Sequence, residues 1–519
     1  MAEVDYHTYR KYMEDSVSNH NGSSAGDVLF TILPSICSIL LTLTFITLFG
    51  KQLSFQARIV VEFCVTIVPC VLCCTVLHDK AMAISQIFLI LSAANIISIL
   101  AKKPKYSYNA ANSIPTSNES KSGKSDKISF ITNFRALVMV MTSICVLAVD
   151  FSCFPTEFMK TETYGYSLMD AGVGLFIVAN ALTSPEARNI QYSLSQGVPK
   201  YLKDCVPLLG LGAARFFAVE FLGYQKHVSE YGVHWNFFLT LACVRLFTGI
   251  LAHNLIYKYS LLTGLWILGM HEYALSTQGL KEWVMSDEPR DNFLSANREG
   301  WVSIPGYVGL YLIGIALGRM IHTSFQYSEN QLIFNIKFRG YDFHIGYTKS
   351  MSLSLKLYIV ANFAFIATYY CEKYFQVSRR LANSGYCAWV LTLSTLILTF
   401  LLMIEVLLEC ISGCVKDKAK KKGIKQLKRD DLNVKEDCHT IKTLAIFEAV
   451  NYNGLLFFLF VNLMTGMINL SIKTRYVTDP QAVSIILTYM VVNITFVMLR
   501  YKTKKVLTNR PDLPKKIVE

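Results

Sequence analysis

Charged residues are scarce in this sequence. Asp, Glu, Lys and Arg make up 17% of its 519 residues, whereas apolar residues, counted with Tyr and Cys, make up 52%. An ordinary soluble domain is roughly one quarter charged, and a disordered chain has few apolar residues. Both classes are therefore excluded, and with only 28 glycines a collagen-like chain is excluded as well.

The sequence also lacks a cysteine arrangement typical of a metal site. Its 14 cysteines lie mostly in apolar runs, where small thiols pack well. Cys70 and Cys73 form a CxxC, but neither a second pair nor a histidine follows at zinc spacing. We therefore expect these cysteines to serve packing, and we expect no bound metal and no resident cofactor.

Long apolar runs are abundant instead. A membrane helix needs about 20 predominantly apolar residues. The first run follows a polar segment and lacks a signal-peptide cleavage site, so we expect it to be retained. The sequence predicts an all-α, polytopic membrane bundle of about 13 transmembrane helices, forming one domain over 1–519. The runs cover residues 28–49, 57–77, 81–101, 131–152, 167–184, 203–222, 233–255, 257–275, 304–323, 353–371, 384–411, 441–470 and 482–500.

Lysine and arginine are distributed unevenly between the segments that connect the runs. If 1–27 is lumenal, most of these cations fall in cytosolic segments, as the positive-inside rule requires. We therefore predict a lumenal N-terminus, cytosolic loops at 102–130 and 412–440, and a cytosolic tail at 501–519. The net charge of +13 then reflects membrane topology and not a nucleic-acid partner.

Some charges lie inside the runs, where a charge is costly unless it is paired. We predict that most of them form structural ion pairs between helices. Gly314 and Gly318 form a GxxxG motif, which favours close helix packing. The isolated charges are Arg215, Glu220, Arg245, Glu405, Glu409 and Glu448.

Polar residues are densest between the fourth and fifth runs. The fourth run, from Ile131 to Asp150, would span about 28 Å, which puts Asp150 at the lumenal edge of the hydrocarbon. Pro155 is expected to end the helix, so that the chain can turn and bring Lys160 back toward Asp150. Burial raises the pKa of a carboxyl and a nearby cation lowers it, so this aspartate is a candidate proton acceptor. From the local sequence alone, a structural salt bridge is as good an interpretation as a functional pair.

Further polar residues are predicted on the same side of the membrane, and jointly they indicate a lumenal polar cavity. His227, Glu230 and His234 lack the HExxH spacing of a zinc site, so sugar hydroxyls are the favoured ligand. The other polar residues are Tyr231, Trp235, Asn236, Asn292, Ser295, Asn297, Arg298 and Glu299, with Asn451, Asn453, Asn462 and Asn469 in the twelfth run.

At these residues the sequence resembles the glycosylphosphatidylinositol (GPI) inositol acyltransferase family, known in animals as phosphatidylinositol-glycan class W. The resemblance implies a multi-pass enzyme of the endoplasmic reticulum membrane. Such an enzyme moves a fatty acyl group, usually palmitoyl, from acyl-CoA to the inositol 2-hydroxyl of glucosaminyl-phosphatidylinositol. The motifs are Asn133-Phe134-Arg135, Ala148-Val149-Asp150-Phe151, Phe154-Pro155, Lys160-Thr161-Glu162-Thr163, Gly165, Ser167-Leu168-Met169-Asp170, Gly172-Val173-Gly174, Glu230-Tyr231-Gly232-Val233-His234-Trp235-Asn236-Phe237-Phe238, Asn297-Arg298-Glu299-Gly300 and Asn462-Leu463-Met464-Thr465-Gly466.

The hypothesis for the chemistry is direct acyl transfer, because no Ser or Cys nucleophile stands beside a base in the lumenal motifs. Asp150 is the candidate base, and Lys160 is the candidate stabiliser of the thioester oxygen. We expect Glu162, Asp170, His227, His234 and Asn236 to orient the glycolipid headgroup, and Asn297 and Arg298 to meet a phosphate. The remaining predicted substrate-binding residues are Arg135, Phe154, Thr161, Thr163, Ser167, Glu230, Tyr231, Trp235 and Asn462.

Two other functions stay open at this point. A membrane transporter or lipid flippase also carries intramembrane charges around a cavity, although no inverted repeat is visible in this sequence. A histidine-dependent membrane acyltransferase would use His234 or His271 as its base. The sequence leaves the oligomeric state undetermined.

Overall fold

The computed structural model describes most of the chain as a bundle of α-helices. The described residues are 20–50, 52–101, 128–190, 194–222, 228–251, 258–286, 288–326, 332–338, 341–347, 349–423 and 441–508.

The described residues form eighteen α-helices. In chain order they are α1 (Ala25–Phe49), α2 (Phe55–Glu62), α3 (Val68–Cys73), α4 (Ala81–Ala101), α5 (Ser129–Ala148), α6 (Leu168–Leu182), α7 (Leu194–Leu222), α8 (Val228–Tyr231), α9 (Phe237–Leu251), α10 (Ser260–Thr277), α11 (Leu280–Met285), α12 (Phe293–Ala296), α13 (Arg298–Gln326), α14 (Lys349–Phe375), α15 (Ser384–Gly423), α16 (Ala445–Tyr452), α17 (Gly454–Ser471) and α18 (Asp479–Thr508). A π-helical turn, Phe63–Ile67, joins α2 to α3.

Local sequence sets the ends of these helices, as α1 illustrates. The Ser24 side chain accepts a hydrogen bond from Asp27 N at 3.2 Å, and the Asp27 carboxylate accepts one from Ser24 N at 3.1 Å. This capping box satisfies amide groups that the first turn leaves without partners. At the other end of the helix, Gly50 N donates to Ile46 O at 2.7 Å.

Each of the predicted apolar runs contains helix, so the helical membrane architecture is confirmed. Nine helical segments of the described chain are long and apolar enough to cross a membrane, namely α1, α2 with α3, α4, α5, α13, α14, α15, α17 and α18. Helices α6 and α9 are apolar but only 15 residues long. The count of thirteen spans and the orientation of the termini stay predictions.

One element departs from the all-α prediction. An antiparallel β-hairpin, with β1 at Leu332–Phe338 and β2 at Tyr341–Tyr347, lies between α13 and α14. A search for runs of about 20 apolar residues cannot detect it, because each strand has seven residues. The fold is therefore a helical bundle that carries one small hairpin in a predicted cytosolic segment.

The hydrophobic core lies between α1, α5, α6, α13 and α15. In the most apolar 18-residue stretch of each helix, 72%, 78% and 83% of α1, α5 and α13 is buried. The corresponding share in α4 is 11%, so α4 faces outward. The GxxxG motif packs as predicted. A Cβ at Gly314 would lie 2.7 Å from Ala181 Cβ, and one at Gly318 would lie 2.8 Å from Ala187 Cβ. These glycines let α13 approach α6 closely.

Three of the six charges singled out in the apolar runs, Arg245, Glu405 and Glu409, form the predicted ion pairs between elements. Lys442 Nζ lies 2.8 Å from Glu405 Oε1 and 2.6 Å from Glu409 Oε1. Arg245 Nη1 lies 3.1 Å from Glu186 Oε2. Tyr501 donates to Glu448 at 3.2 Å. In contrast, Arg215 is exposed on α7, and the side chain of Glu220 lies outside the described residues.

The segments that were predicted to be lumenal contact one another at one end of the bundle. Ser23 N donates to Tyr166 O at 2.7 Å, and Gly165 N donates to Val377 O at 2.9 Å. Val233 N donates to Ala296 O at 2.9 Å. These hydrogen bonds join the segments around residues 23, 166 and 377 to one another, and the segment around residue 233 to that around residue 296. The pair of Lys160 with Glu230 connects the two groups, and the cluster around Asp150 lies among them.

Candidate functional site

Asp150 lies just beyond the end of α5, where the backbone turns. The helix ends at Ala148, and Asp150 N donates to Leu147 O at 3.2 Å. The expectation that Pro155 ends the helix is therefore wrong, because the turn begins seven residues earlier and Pro155 precedes the 3₁₀ turn Thr156–Phe158. The consequence is the predicted one, since the chain folds back over the end of the bundle.

The Asp150 carboxylate is held by a residue from a distant part of the chain. Its Oδ2 accepts a hydrogen bond from Asn469 Nδ2 at 2.7 Å, from the last turn of α17. Arg475 donates to the carbonyl oxygens on both sides of Asp150, at 3.1 Å to Val149 O and at 3.3 Å to Phe151 O. Both the carboxylate and the backbone of Asp150 are thus fixed from α17 and the turn that follows it.

The environment of Asp150 changes its acidity. Burial raises the pKa of Asp150 to about 6, against the opposing effects of the Asn469 hydrogen bond and the charges of Arg475 and Lys160. A carboxyl with a pKa near neutrality can accept a proton and later release it at physiological pH. This property is required of a general base.

Lys160 forms an ion pair with Glu230, 2.6 Å from its Oε1, and not with Asp150. Of the two interpretations that the sequence left open, the salt bridge between Lys160 and Asp150 is not formed, because the short helix α8 presents Glu230 as the partner of Lys160. Burial alone would raise the pKa of Glu230, but Lys160, with Arg379 and Arg215, lowers it to about 2. Lys160 still acts on Asp150 through space, since its charge lowers the pKa of that carboxyl.

Asp170 is enclosed in a buried network beneath Lys160. Its Oδ2 accepts from Thr161 N at 3.0 Å and from Thr161 Oγ1 at 2.7 Å, and its Oδ1 accepts from Arg379 Nε at 2.6 Å. Ser167 caps α6 by accepting from Asp170 N at 3.1 Å. Because its oxygens already have protein partners, Asp170 is suited to position the Lys160 loop. Its predicted contact with substrate stays a prediction.

Arg379, like Arg475, is a residue of this site that sequence reasoning missed. It lies between α14 and α15, it is buried, and its guanidinium sits 5.9 Å from the centre of the Tyr231 ring. Burial tends to lower the pKa of Arg379, but Asp170 and Glu230 raise it well above its usual value, so the charge is kept. The sequence did contain a feature that could have indicated it, because Arg379 and Arg380 form an adjacent basic pair between two predicted spans.

The segment from Tyr231 to Asn236 is joined to its neighbours by specific contacts. His234 N donates to Asn297 Oδ1 at 2.8 Å, and the His234 ring packs 5.4 Å from the ring of Phe216. The Trp235 ring lies 4.6 Å from that of Trp301. Asn236 donates to Gly212 O at 2.9 Å. These predicted binding residues therefore lie together, and each makes contacts that support the fold.

Asn297 and Arg298 lie at the start of α13, and both are buried. Asn297 Nδ2 donates to Phe293 O at 2.9 Å, and Arg298 donates to Ser286 O. Their neighbour Glu299 binds two further arginines, with Oε1 lying 2.6 Å from Arg290 and 2.9 Å from Arg380. The predicted phosphate contact of Asn297 and Arg298 stays a prediction.

The other predicted residues are spread over a larger part of the molecule. Arg135 lies on α5, 15 residues before Asp150 in the sequence. At the helical rise this is a distance of about 22 Å, so Arg135 belongs to the opposite end of the bundle. Asn462 donates to Phe458 O on its own helix at 2.7 Å. Phe154 is buried, Glu162 half-buried and Thr163 exposed on the Asp150 side, whereas His227 lies outside the described residues.

Comparison with known proteins identifies the family of this chain. The family model described as GWT1 matches residues 9–500. The chain is 30% identical to the bovine glucosaminyl-phosphatidylinositol-acyltransferase PIGW over 505 residues, covering 93% of this chain and 96% of that protein. It is 28% identical to the human protein of the same name, over 96% and 98% of the two chains. It is 33% identical to the GPI-anchored wall transfer protein 1 of Candida albicans, over 72% and 75%.

The match to the family model extends across the bundle and includes both Asp150 and Asn469. The resemblance noted in the sequence is confirmed by it, and the chain belongs to the GWT1 family.

Proposed function

We propose that this protein is a GPI inositol acyltransferase of the endoplasmic reticulum membrane. It transfers a palmitoyl group from acyl-CoA to the inositol 2-hydroxyl of glucosaminyl-phosphatidylinositol. The printed names of the bovine and human relatives support the acceptor and the type of reaction. The observation that carries the proposal is the Asp150 carboxyl, whose pKa is raised to about 6 and which lies within reach of the Lys160 charge.

In the proposed reaction, Asp150 takes the proton of the inositol hydroxyl as its oxygen attacks the thioester carbon. Negative charge builds on the thioester oxygen, and Lys160 stabilises it. The tetrahedral intermediate then collapses, the carbon–sulfur bond breaks, and the CoA thiolate leaves. The thiolate takes the proton from Asp150 or from water. A thiol pKa of about 8.5 makes the thiolate a good leaving group, so no strong general acid is needed.

An open groove between helices is a candidate place for the acyl chain. It has a volume of about 600 Å³ and is lined by α7, the α16–α17 junction and Arg500. Gly454 at the groove and Asn469 beside Asp150 are 15 residues apart on α17, or about 22 Å.

The topology proposed with this function has thirteen crossings, a lumenal N-terminus and a cytosolic C-terminus. The hydrogen bonds among the segments around residues 23, 166 and 377, and between those around residues 233 and 296, support an even number of crossings between the joined segments, as this topology requires. In this arrangement Asp150 and Lys160 face the lumen. Acyl-CoA must therefore reach the lumenal end, either from that side or along a path through the bundle.

The test is acyl transfer by purified protein, with labelled palmitoyl-CoA and glucosaminyl-phosphatidylinositol as substrates. Asp150→Asn and Lys160→Ala should abolish formation of acyl-inositol while expression is kept. Ser152→Ala is the matched control, because this exposed serine lies two residues from Asp150. Near-normal turnover in either variant would remove that residue from the chemistry. Lipid movement without new product would instead support a transporter or flippase.

A further inference from the structure

We propose that Asn469 is a positioning residue for Asp150, and that it keeps the carboxylate ionised and aimed at the acceptor hydroxyl. This inference rests on the proposed function, in which Asp150 is the base. Nothing in the motifs around Asp150 indicates it, because Asn469 lies 319 residues further along the chain.

The hydrogen bond leaves one carboxylate oxygen for the reaction. Asn469 Nδ2 donates to Asp150 Oδ2 at 2.7 Å. Among the described residues, Oδ1 of Asp150 has no hydrogen-bond partner, so it is the oxygen that can meet a substrate hydroxyl. An amide N–H is a donor only, and at this distance it fixes the plane of the carboxylate.

Asn469 can hold Asp150 because the backbone on both sides of the aspartate is also fixed. Arg475, in the turn Thr474–Tyr476 after α17, donates to Val149 O and Phe151 O. The charged groups that act on Asp150 are Arg475 and Lys160, and Lys160 is in turn paired with Glu230. One turn and the last residues of α17 thus form a support for the base.

The chemical consequence concerns the ionised form of the base. A hydrogen bond donated to a carboxylate stabilises the charged state, whereas burial favours the neutral acid. If the Asn469 amide is removed while Asp150 stays buried, the pKa of Asp150 must rise. A bond of this kind accounts for about one pH unit. The acid limb of the pH–rate profile should therefore move upward by about that amount.

The experiment measures kcat/KM of full-length protein from pH 5 to 9 for four variants. Asn469→Ala removes the donor, and Asn469→Asp keeps the shape but adds a second carboxylate. Ser471→Ala is the matched control, because this exposed hydroxyl near the end of the same helix donates to Met467 O, within the helix itself. Asp150→Asn tests the base itself.

We expect the acid limb to move up by about one pH unit in Asn469→Ala, and by more in Asn469→Asp, because two adjacent carboxylates share a proton. Ser471→Ala should keep the wild-type profile, and KM for both substrates should change little. An unchanged limb in both Asn469 variants, or a loss of rate that is equal at every pH, overturns the proposal. If Asp150→Asn keeps its turnover, Asp150 is not the base, and if the wild-type protein forms no acyl-inositol, the proposed function itself fails, so each failure can be distinguished from that of Asn469.

Discussion

At the scale of single residues, the proposed reaction depends on the balance between burial and nearby positive charge at Asp150, because this balance sets the pKa of its carboxyl. Below a pH of about 6 the carboxyl is protonated and cannot accept the hydroxyl proton, whereas above it the carboxylate is ionised. We therefore expect kcat/KM for acyl transfer to rise with pH through an acid limb near 6. An ordinary, solvent-exposed aspartate would give a limb near 4. A flat profile between pH 5 and 7 would contradict the role of Asp150 as base.

Glu230 provides a second prediction at this scale. With its pKa lowered to about 2, the Glu230 carboxylate stays ionised across the pH range of the assay. In Glu230→Gln the ammonium loses its partner, and kcat should fall about tenfold. The full Lys160 charge then acts on Asp150, and the acid limb should move to lower pH.

The matched control for Glu230→Gln is Glu157→Gln, an exposed glutamate at the same end of the bundle. It should keep both the rate and the acid limb of the wild type. If Glu230→Gln changes KM for glucosaminyl-phosphatidylinositol and leaves kcat unchanged, Glu230 contacts the headgroup, as the sequence predicted, and does not position Lys160.

The sequence was enough to single out individual residues of the candidate site, but it did not indicate which residues they contact. Asp150 and Lys160 could be found because charges concentrated beside an apolar run are costly and therefore informative. The contacts of Lys160 with Glu230 and of Asp150 with Asn469 join residues 70 and 319 positions apart. Such contacts depend on helix packing, which no local pattern encodes.

At the scale of whole elements, packing between α6 and α13 depends on residues without side chains. A Cβ at Gly314 would come within 2.7 Å of Ala181 Cβ, closer than carbon atoms approach one another, so the helices must separate. We expect Gly314→Ala to lower the free energy of unfolding by about 1–3 kcal/mol. The measurement is thermal unfolding of purified protein in detergent.

Gly269→Ala is the control for this substitution. Gly269 is also helical, in α10, but a Cβ there would meet nothing within 4 Å. Alanine should therefore be neutral or raise stability by up to about 1 kcal/mol through its helix propensity. Equal losses in both variants would indicate that the glycines matter for the backbone and not for the contact of α13 with α6.

The long, membrane-spanning helices were the predictable elements, because each needs one long apolar run. The breaks within them were not predictable. The π-helical turn Phe63–Ile67 interrupts a run that reads as continuous, and α16 and α17 divide the twelfth run at Asn453. The hairpin of β1 and β2 was missed because its strands are short and lie between two long runs.

At the scale of the whole molecule, the side of the membrane that Asp150 faces can be read from the N-terminal segment. Ser23 N donates to Tyr166 O, and Tyr166 belongs to the same connection as Lys160. The segment before α1 must therefore face the same compartment as the candidate base.

In sealed endoplasmic reticulum vesicles treated with protease, we expect an epitope tag at the N-terminus to be protected. Tags within 424–440 or at the C-terminus should be digested. Adding detergent should expose all three tags, which is the control for sealed vesicles. Digestion of the N-terminal tag in intact vesicles would reverse the orientation and place Asp150 on the cytosolic side.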